Sequence, residues 1–239
     1  MSVTYARRLA SEYAWNIVVD LCRDGCALGI GTGSTVKLFI DLSTKDHSRL
    51  KTLQRSCIVV SSVDTALALN RLECKCIDSG IPLRDIDVYV DSCDEFDARI
   101  CMIKGGGGAM LREKVLASIS KKRIYILDED KVSEKIGSKK PVPIEVVPYA
   151  YHLVSTELSS RGIEFTLRYS NTRYGPTLTD NGNLILDLKT GPLSDPEAFD
   201  QFLSAIPGVV VTGIFLRKHI DLVIVGYRNG DVKLFGSLG

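Results

Sequence analysis

The sequence predicts an α/β fold: a doubly wound, mostly parallel sheet with a second, smaller α+β domain. Three observations carry this expectation. Short apolar runs alternate with helical patterns from Cys26 to Leu127. Turns rich in glycine, serine or aspartate follow several of those runs. Beyond Lys131 the rhythm breaks at prolines 141, 143 and 148, and strands flanking tight turns take over. Repeated strand–helix units imply a parallel sheet, and a proline-marked change of character implies a domain crossing. Residues 1–135 and 208–239 are therefore expected to form the larger domain and 136–207 the smaller one.

Taken in order, Tyr5 to Leu21 has the spacing of an amphipathic helix, with Leu9, Tyr13, Ile17, Val18 and Leu21 on one face. Cys26–Ile30 is a short strand, and Gly31 to Thr35 form a turn before a helical pattern over Val36–Leu42. In such an arrangement backbone N–H groups and the helix dipole can receive a phosphate, with Ser34 and Thr35 adding hydroxyls. An ordinary N-cap and tight turn would read the same way. The glycines at 29, 31 and 33 do not make a dinucleotide fingerprint, and no Walker lysine follows. A phosphate monoester fits better than a nucleotide.

A strand over Cys57–Ser61, a helix from Ser62 to Leu72, a short strand at Lys75–Ile77 and a buried strand at Ile86–Val90 continue the alternation. A helix from Ala109 to Ser120 follows, with Lys121-Lys122-Arg123 as its solvated end, then a strand over Ile124–Leu127. The Gly31–Thr35, Asp91–Asp94 and Asp128–Lys131 turns each follow a strand, so all three can share the rim where ligands bind such sheets. In the smaller domain the expected elements are a helix near Tyr151–Ser160, strands at Ile163–Tyr169 and Leu184–Leu188, and a helix at Asp195–Ala205. Turns fall at Gly175-Pro176 and at 179–183. Strands at Val209–Val211, Leu222–Val225 and Val232–Phe235 are expected to return to the first sheet or cover its edge.

At 239 residues, 45% apolar and 25% charged, with a formal charge of +1, the composition is that of a soluble globular protein. It gives no push toward nucleic acid or membrane. No run approaches a membrane span, and Met1–Ala10 lacks a signal-peptide core. The seven cysteines, an odd count without a secretion signal, are expected to be reduced cytosolic thiols, not a disulfide framework. Neither they nor the scattered histidines at 47, 152 and 219 have metal-site spacing, so no metal is expected.

The densest chemistry lies between Val88 and Leu116. Asp91 and Asp94 follow a buried strand, where acids are costly unless paired or used. Lys104 precedes four glycines that can bring backbone close to a ligand, and Glu113 falls in the first turns of the next helix. A flexible loop with solvated charges is the plain alternative for the glycines alone. The three acids and the lysine together point to an active site.

GIGTGSTV (Gly29–Val36), DSCDEFD (Asp91–Asp97), KGGGGAMLREKVLA (Lys104–Ala117), PVPIEVVPYA (Pro141–Ala150), TDNGN (Thr179–Asn183) and PGVVVTGIF (Pro207–Phe215) occur in that order. This series resembles ribose-5-phosphate isomerase type A over nearly the whole chain. The resemblance implies a Rossmann-like catalytic domain and interconversion of ribose 5-phosphate and ribulose 5-phosphate without metal or organic cofactor. It also implies cytoplasmic location, a homodimer or homotetramer with the 136–207 domain as a possible interface, and no nucleic-acid or membrane partner. Glu113 matches the catalytic base. Asp91 and Lys104 match the groups that open the sugar ring and stabilise oxyanion charge, and Asp94 matches a further sugar-contacting acid. Thr32, Gly33, Ser34, Thr35, Asp91, Ser92, Cys93, Asp94, Lys104, Gly105, Gly106, Gly107 and Lys131 match the substrate-binding segments. Arg7 or Arg8 stands where the family has a phosphate-contacting lysine. Ser92 and Cys93 depart from the family's usual Gly-Ala, which puts the backbone of that turn in question and makes Cys93 a candidate oxidation-sensitive thiol. A sugar-phosphate sensor, an amino-sugar phosphate deaminase or an acyl-transfer enzyme could use a similar rim, but the KGGGG…RE segment and the retained acids favour the isomerase.

Overall fold

The computed structural model describes residues 1–77, 85–170 and 174–239. In chain order α1 (Val3–Leu21), β1 (Ala27–Ile30), α2 (Ser34–Ser43), α3 (His47–Arg55), β2 (Cys57–Val60), α4 (Val63–Asn70), β3 (Cys76–Ile77) and β4 (Ile86–Asp91) come first. Next are β5 (Glu95–Asp97), β6 (Cys101–Ile103), α5 (Met110–Ile119), β7 (Ser120–Asp128), β8 (Val132–Ser133) and β9 (Val142–Val146). After them come α6 (Tyr151–Ser160), β10 (Phe165–Leu167), β11 (Leu184–Leu188), α7 (Pro196–Ser204), β12 (Val209–Thr212), β13 (Ile214–Phe215), β14 (Leu222–Gly226) and β15 (Val232–Gly236). The chain divides into two compact units. The first holds Met1–Cys93, Arg112–Lys131 and Lys218–Gly239, and the second Asp94–Leu111 and Val132–Arg217.

The first unit is built on a seven-stranded sheet of order β15-β14-β7-β4-β1-β2-β3. All its pairings are parallel except β14 with β15. The chain lays β1, β2 and β3 outward in one direction and then returns to the other side of β1 with β4. That reversal, between β1 and β4, is where doubly wound sheets hold ligands. Strand side chains such as Leu28, Ile30, Val88, Val90, Ile124 and Ile126 form the core with Trp15 and Phe39 from the helices. Burying each contributes about 1.5–3 kcal/mol. The Trp15 and Phe39 rings stack with centroids 4.1 Å apart, and the indole N–H donates to the Phe39 carbonyl at 2.7 Å.

Three expectations for this unit need correction. The buried face of α1 is Ala6, Ala10, Ser11, Ala14, Trp15 and Val18, while Tyr13 and Leu21 are exposed. Small residues face inward because α1 runs hard against β14: a Cβ at Gly226 would collide with the Ala6 carbonyl. Lys121, Lys122 and Arg123 lie inside β7, not at a helix end. Opposite charges on neighbouring segments allow it, since Lys121 pairs with Asp87 at 2.8 Å and Arg123 with Asp221 at 2.7 Å. Cys22 and Cys26 are joined as a disulfide across the turn between α1 and β1, their Cα atoms 5.0 Å apart. Cys57, Cys74, Cys93 and Cys101 are in no disulfide.

The second unit holds two four-stranded sheets, β10-β11-β9-β12 and β13-β6-β5-β8. Its main core gathers Ile144, Val146, Val154, Leu158, Leu186, Leu203 and their neighbours. The proline-marked segment is not only a crossing, because β9 is an interior strand and buried throughout. Pro143 is tolerated there because it lies just past Ile144, the last β9 residue paired with β12, and its carbonyl still accepts from Gly213 at 2.7 Å. Val209–Val211 joins this sheet against β9 and does not return to the first one, whereas β14 and β15 do return. Leu184–Leu188, Tyr151–Ser160 and the α7 helix fall where the sequence put them, and Asp195 caps α7 by accepting from the Ala198 N–H. The Gly175-Pro176 turn lies beside residues outside those described.

Buried acids account for several motifs in this unit without chemistry. Glu145 accepts from Thr179 Oγ1, Asn181 Nδ2 and Asn183 Nδ2 at 2.9, 3.2 and 2.8 Å, so TDNGN is a latch over a buried carboxylate. Glu95 accepts backbone N–H bonds from Gly137, Lys139 and Lys140. Asp97 holds the Arg99 guanidinium and the Ile136 N–H. Hydrogen bonds offset the burial of Glu95 and Asp97, as an interior charge requires, whereas Glu145 is satisfied at Oε1 only and its Oε2 has no hydrogen-bond partner among the described residues.

Candidate active site

In the first unit three adjacent parallel strands, β1, β4 and β7, end at one rim. Gly31 to Thr35 follow β1, Asp91 closes β4 and Ser92 and Cys93 follow it, and Asp128 closes β7 shortly before Lys131. The shared rim expected from the sequence is therefore present for these turns. Helix α2 starts here with Gly33 at its cap, which brings no side chain to its first amides. Two cations flank that helix start. Arg7 donates through Nε to the buried Asp128 at 2.7 Å, and its Nη1 lies 3.4 Å from Ser34 Oγ. Lys131 Nζ donates to Ser92 Oγ at 2.8 Å and lies 3.4 Å from Thr35 Oγ1. A helix start with two cations and two hydroxyls beside it offers the donors that a dianionic group would need. Arg8 is instead engaged by Glu12 on the exposed side of α1. Thr32 binds inward, sharing a 2.8 Å bond with Ser62 Oγ, and so fixes the turn itself.

Ser92, where the family usually has glycine, keeps a negative φ, so the turn needs no special backbone there. Its hydroxyl donates to the Ile126 carbonyl at 2.7 Å and receives Lys131, tying the ends of β4 and β7 together. Cys93 beside it is buried.

Asp91 is fully buried and Glu113 is 3% exposed. Asp91 accepts from the Tyr89 hydroxyl and from the Ser92 N–H. Tyr89 and Tyr125 feel both acids. Burial first, then the charge of Asp91, then that of Glu113, push each phenol well above its ordinary value. Asp91 and Glu113 thus act on the same two buried phenols of this unit.

In the second unit Asp94, Lys104 and Gly105 to Gly107 are brought together. The Gly106 N–H donates to Asp94 Oδ2 at 2.8 Å, and the Lys104 N–H donates to the Gly213 carbonyl at 2.8 Å. Lys104 is buried, its ammonium 5.5 Å from the Phe215 ring centroid. Arg168, which sequence reasoning missed, clamps the glycines: Nη1 donates to the Gly105 and Gly106 carbonyls at 2.8 and 3.1 Å. Asp187 grips the other side of the same guanidinium through two bonds. A lone arginine just past β10 gives no local signal. Only its pairing with Asp187, opposite β10 on β11, reveals it.

A family model described as "Ribose 5-phosphate isomerase A (phosphoriboisomerase A)" matches residues 57–230. The ribose-5-phosphate isomerase A of Archaeoglobus fulgidus is 38% identical over 220 residues, covering 89% of this chain and 93% of that protein. The chain belongs to the ribose 5-phosphate isomerase A family. The family member from Stenotrophomonas maltophilia is likewise 38% identical, over 92% of this chain and 95% of its own. Among solved members, a D-ribose-5-phosphate isomerase in complex with phospho-erythronic acid superposes with a TM-score of 0.88 at 33% identity. That match covers 99% of this chain and 100% of the other. The Methanocaldococcus jannaschii enzyme gives 0.84 at 32% identity over 98% of both chains. Among the described residues of this family member, no cluster of His, Cys, Asp and Glu is placed to hold a metal ion. Nor is any helix among them long and apolar enough to cross a membrane.

Proposed function

We propose that this chain interconverts D-ribose 5-phosphate and D-ribulose 5-phosphate through an enediolate, in the non-oxidative pentose phosphate pathway. Family membership over nearly the full length supports the reaction, and the two buried acids of the first unit support the assignment of roles. The proton on C2, beside the open-chain aldehyde, is weakly acidic. Its removal needs a positioned base and a group that stabilises the oxyanion. Glu113 takes that proton and returns it to C1, which contributes about 10²–10⁴-fold. Lys104 carries the positive charge that offsets negative charge on O1 and O2. Asp91 handles the protons of ring opening, and Asp94 meets the sugar hydroxyls and orients Gly106. Arg7, Lys131, Ser34, Thr35 and the α2 amides hold the phosphate, so that remote binding energy fixes the reacting carbons. Gly105 to Gly107 and the 92–93 turn line the sugar. No metal or organic cofactor takes part.

The enzyme is cytoplasmic and acts as a homodimer or homotetramer. The exposed apolar side chains of Tyr149 and Leu153 support a subunit interface on the 136–207 segment. A coupled assay of ribulose 5-phosphate formation, run in EDTA, tests the activity. Turnover that EDTA leaves unchanged is expected, and no turnover of ribose 5-phosphate would overturn the reading.

The clamp on the glycine segment makes a separate demand. Arg168→Ala removes both carbonyl bonds and strands Asp187, so kcat should fall about tenfold or more. Arg168→Lys should recover little, because an ammonium cannot form the fork that holds Asp187. Steady-state kinetics on both variants, with thermal melts to follow the fold, check this.

A further inference from the structure

Gly29 is paired with Tyr89 across the β1–β4 ladder, and the Gly31 N–H donates to the Val90 carbonyl at 2.9 Å. A Cβ at Gly31 would fall on the Asp91 carboxyl group, and one at Gly29 would lie 2.9 Å from the Tyr89 ring. These two glycines therefore leave the room in which a phenol and a carboxylate lie. Tyr89 and Asp91 stand two apart on β4, so their side chains leave the same face. The Tyr89 hydroxyl donates to Asp91 Oδ2, and the Ser92 N–H donates to Oδ1 at 2.7 Å. The Tyr89 ring is fully buried and packs edge-on to Tyr125, with centroids 6.1 Å apart. Tyr125 turns its own hydroxyl away, to the His219 carbonyl at 3.0 Å. Because burial and the two nearby acids hold the Tyr89 phenol protonated, it faces Asp91 as a donor.

The geometry points to Tyr89 as the positioning residue of Asp91, its hydroxyl fixing the carboxylate in the orientation that opens the furanose ring of ribose 5-phosphate. The inference deepens the proposed isomerase reading and rests on the assignment of Asp91 to ring opening. In that step the anomeric O1–H loses its proton, C1–O1 becomes a carbonyl, C1–O4 breaks and O4 gains a proton. Asp91 accepts the first proton and supplies the second, while Tyr89 keeps its own. Ribulose 5-phosphate has O5 esterified and cannot close a furanose on its C2 carbonyl. Exchange of its C1 protons with solvent through the enediolate therefore runs without ring opening, and a residue that acts only through Asp91 should spare it.

Tyr89→Phe keeps the ring and deletes the hydroxyl. With ribose 5-phosphate as substrate, kcat should fall about ten- to hundredfold, the range for a lost hydrogen bond to a charged group. KM should stay within about threefold, and so should the rate of deuterium wash-in at C1 of ribulose 5-phosphate, followed by NMR in D2O. Equal loss in both reactions, or no loss in either, overturns the proposal. Replacing Tyr89 by 3-fluorotyrosine, nearly the same shape with a more acidic phenol, guards against a folding defect. It should shift forward kcat without moving C1 exchange, and an unmoved kcat counts against the role. Asp91→Asn is run alongside. If it spares ribose 5-phosphate turnover, the ring-opening assignment fails and takes the inference with it. If it abolishes that turnover while Tyr89→Phe does not, only the Tyr89 role is lost.

Discussion

Glu113→Gln is expected to bind ribose 5-phosphate within a few-fold of the parent and to isomerise it at least about a hundredfold more slowly. Glutamine preserves size and hydrogen-bonding capacity but cannot take up a proton at neutral pH. The loss should appear in kcat, with KM little changed, because the carboxylate works on the proton in flight and not on the resting sugar. Calorimetric titration with ribose 5-phosphate gives the binding constant, and the coupled assay gives the rate. Deuterium wash-in at C1 of ribulose 5-phosphate should vanish along with turnover, which separates this variant from Tyr89→Phe. Near-normal turnover would remove Glu113 from the role of base. The side chain is 3% exposed, and its charge reaches both Tyr89 and Tyr125. A neutral amide there should also ease ionisation of both phenols.

Lys104→Met should cost about 10²–10³ in kcat, the range for deleting one preorganised group at a developing oxyanion. Methionine keeps the length of the stem and its packing near Phe215, so the comparison isolates the ammonium. Substrate KM should stay within about threefold. A rise in KM with kcat unchanged would mean that the lysine binds the ground state uniformly and does not act on the intermediate. Arg168 lies one step back from this effect, because it holds the glycines that follow Lys104 in the chain.

The parallel sheet, its strand–helix alternation apart from α3, and the acid at the end of β4 are legible because each rests on a local pattern. Apolar runs, turn residues and helical spacing report on their own neighbourhood. What escaped depends on partners distant in sequence. The short β5 carries two buried acids whose hydrogen bonds come from Gly137, Lys139 and Lys140, beyond any local pattern, and from Arg99. The α1 face was misjudged because alanines pack inward where backbone approaches backbone, and a hydrophobicity pattern favours larger side chains. Lys121 to Arg123 read as a helix end until Asp87 and Asp221 are known to stand beside them. In the candidate site, Gly31 to Thr35 read as a phosphate turn and Gly29 as part of the strand before it. Gly33 and the start of α2 fit that reading, whereas Gly29 and Gly31 make room for β4. Arg7 and Arg8 read alike in the sequence and separate only through their partners, Asp128 holding Arg7 and Glu12 holding Arg8.

The protein has a single tryptophan, and it lies stacked on Phe39 inside the first unit. Intrinsic emission excited at the red edge of the absorption band is therefore a beacon for that half of the chain alone. The latch of Glu145 and the glycine clamp could melt in darkness, so a denaturation curve traced by fluorescence and one traced by circular dichroism need not coincide.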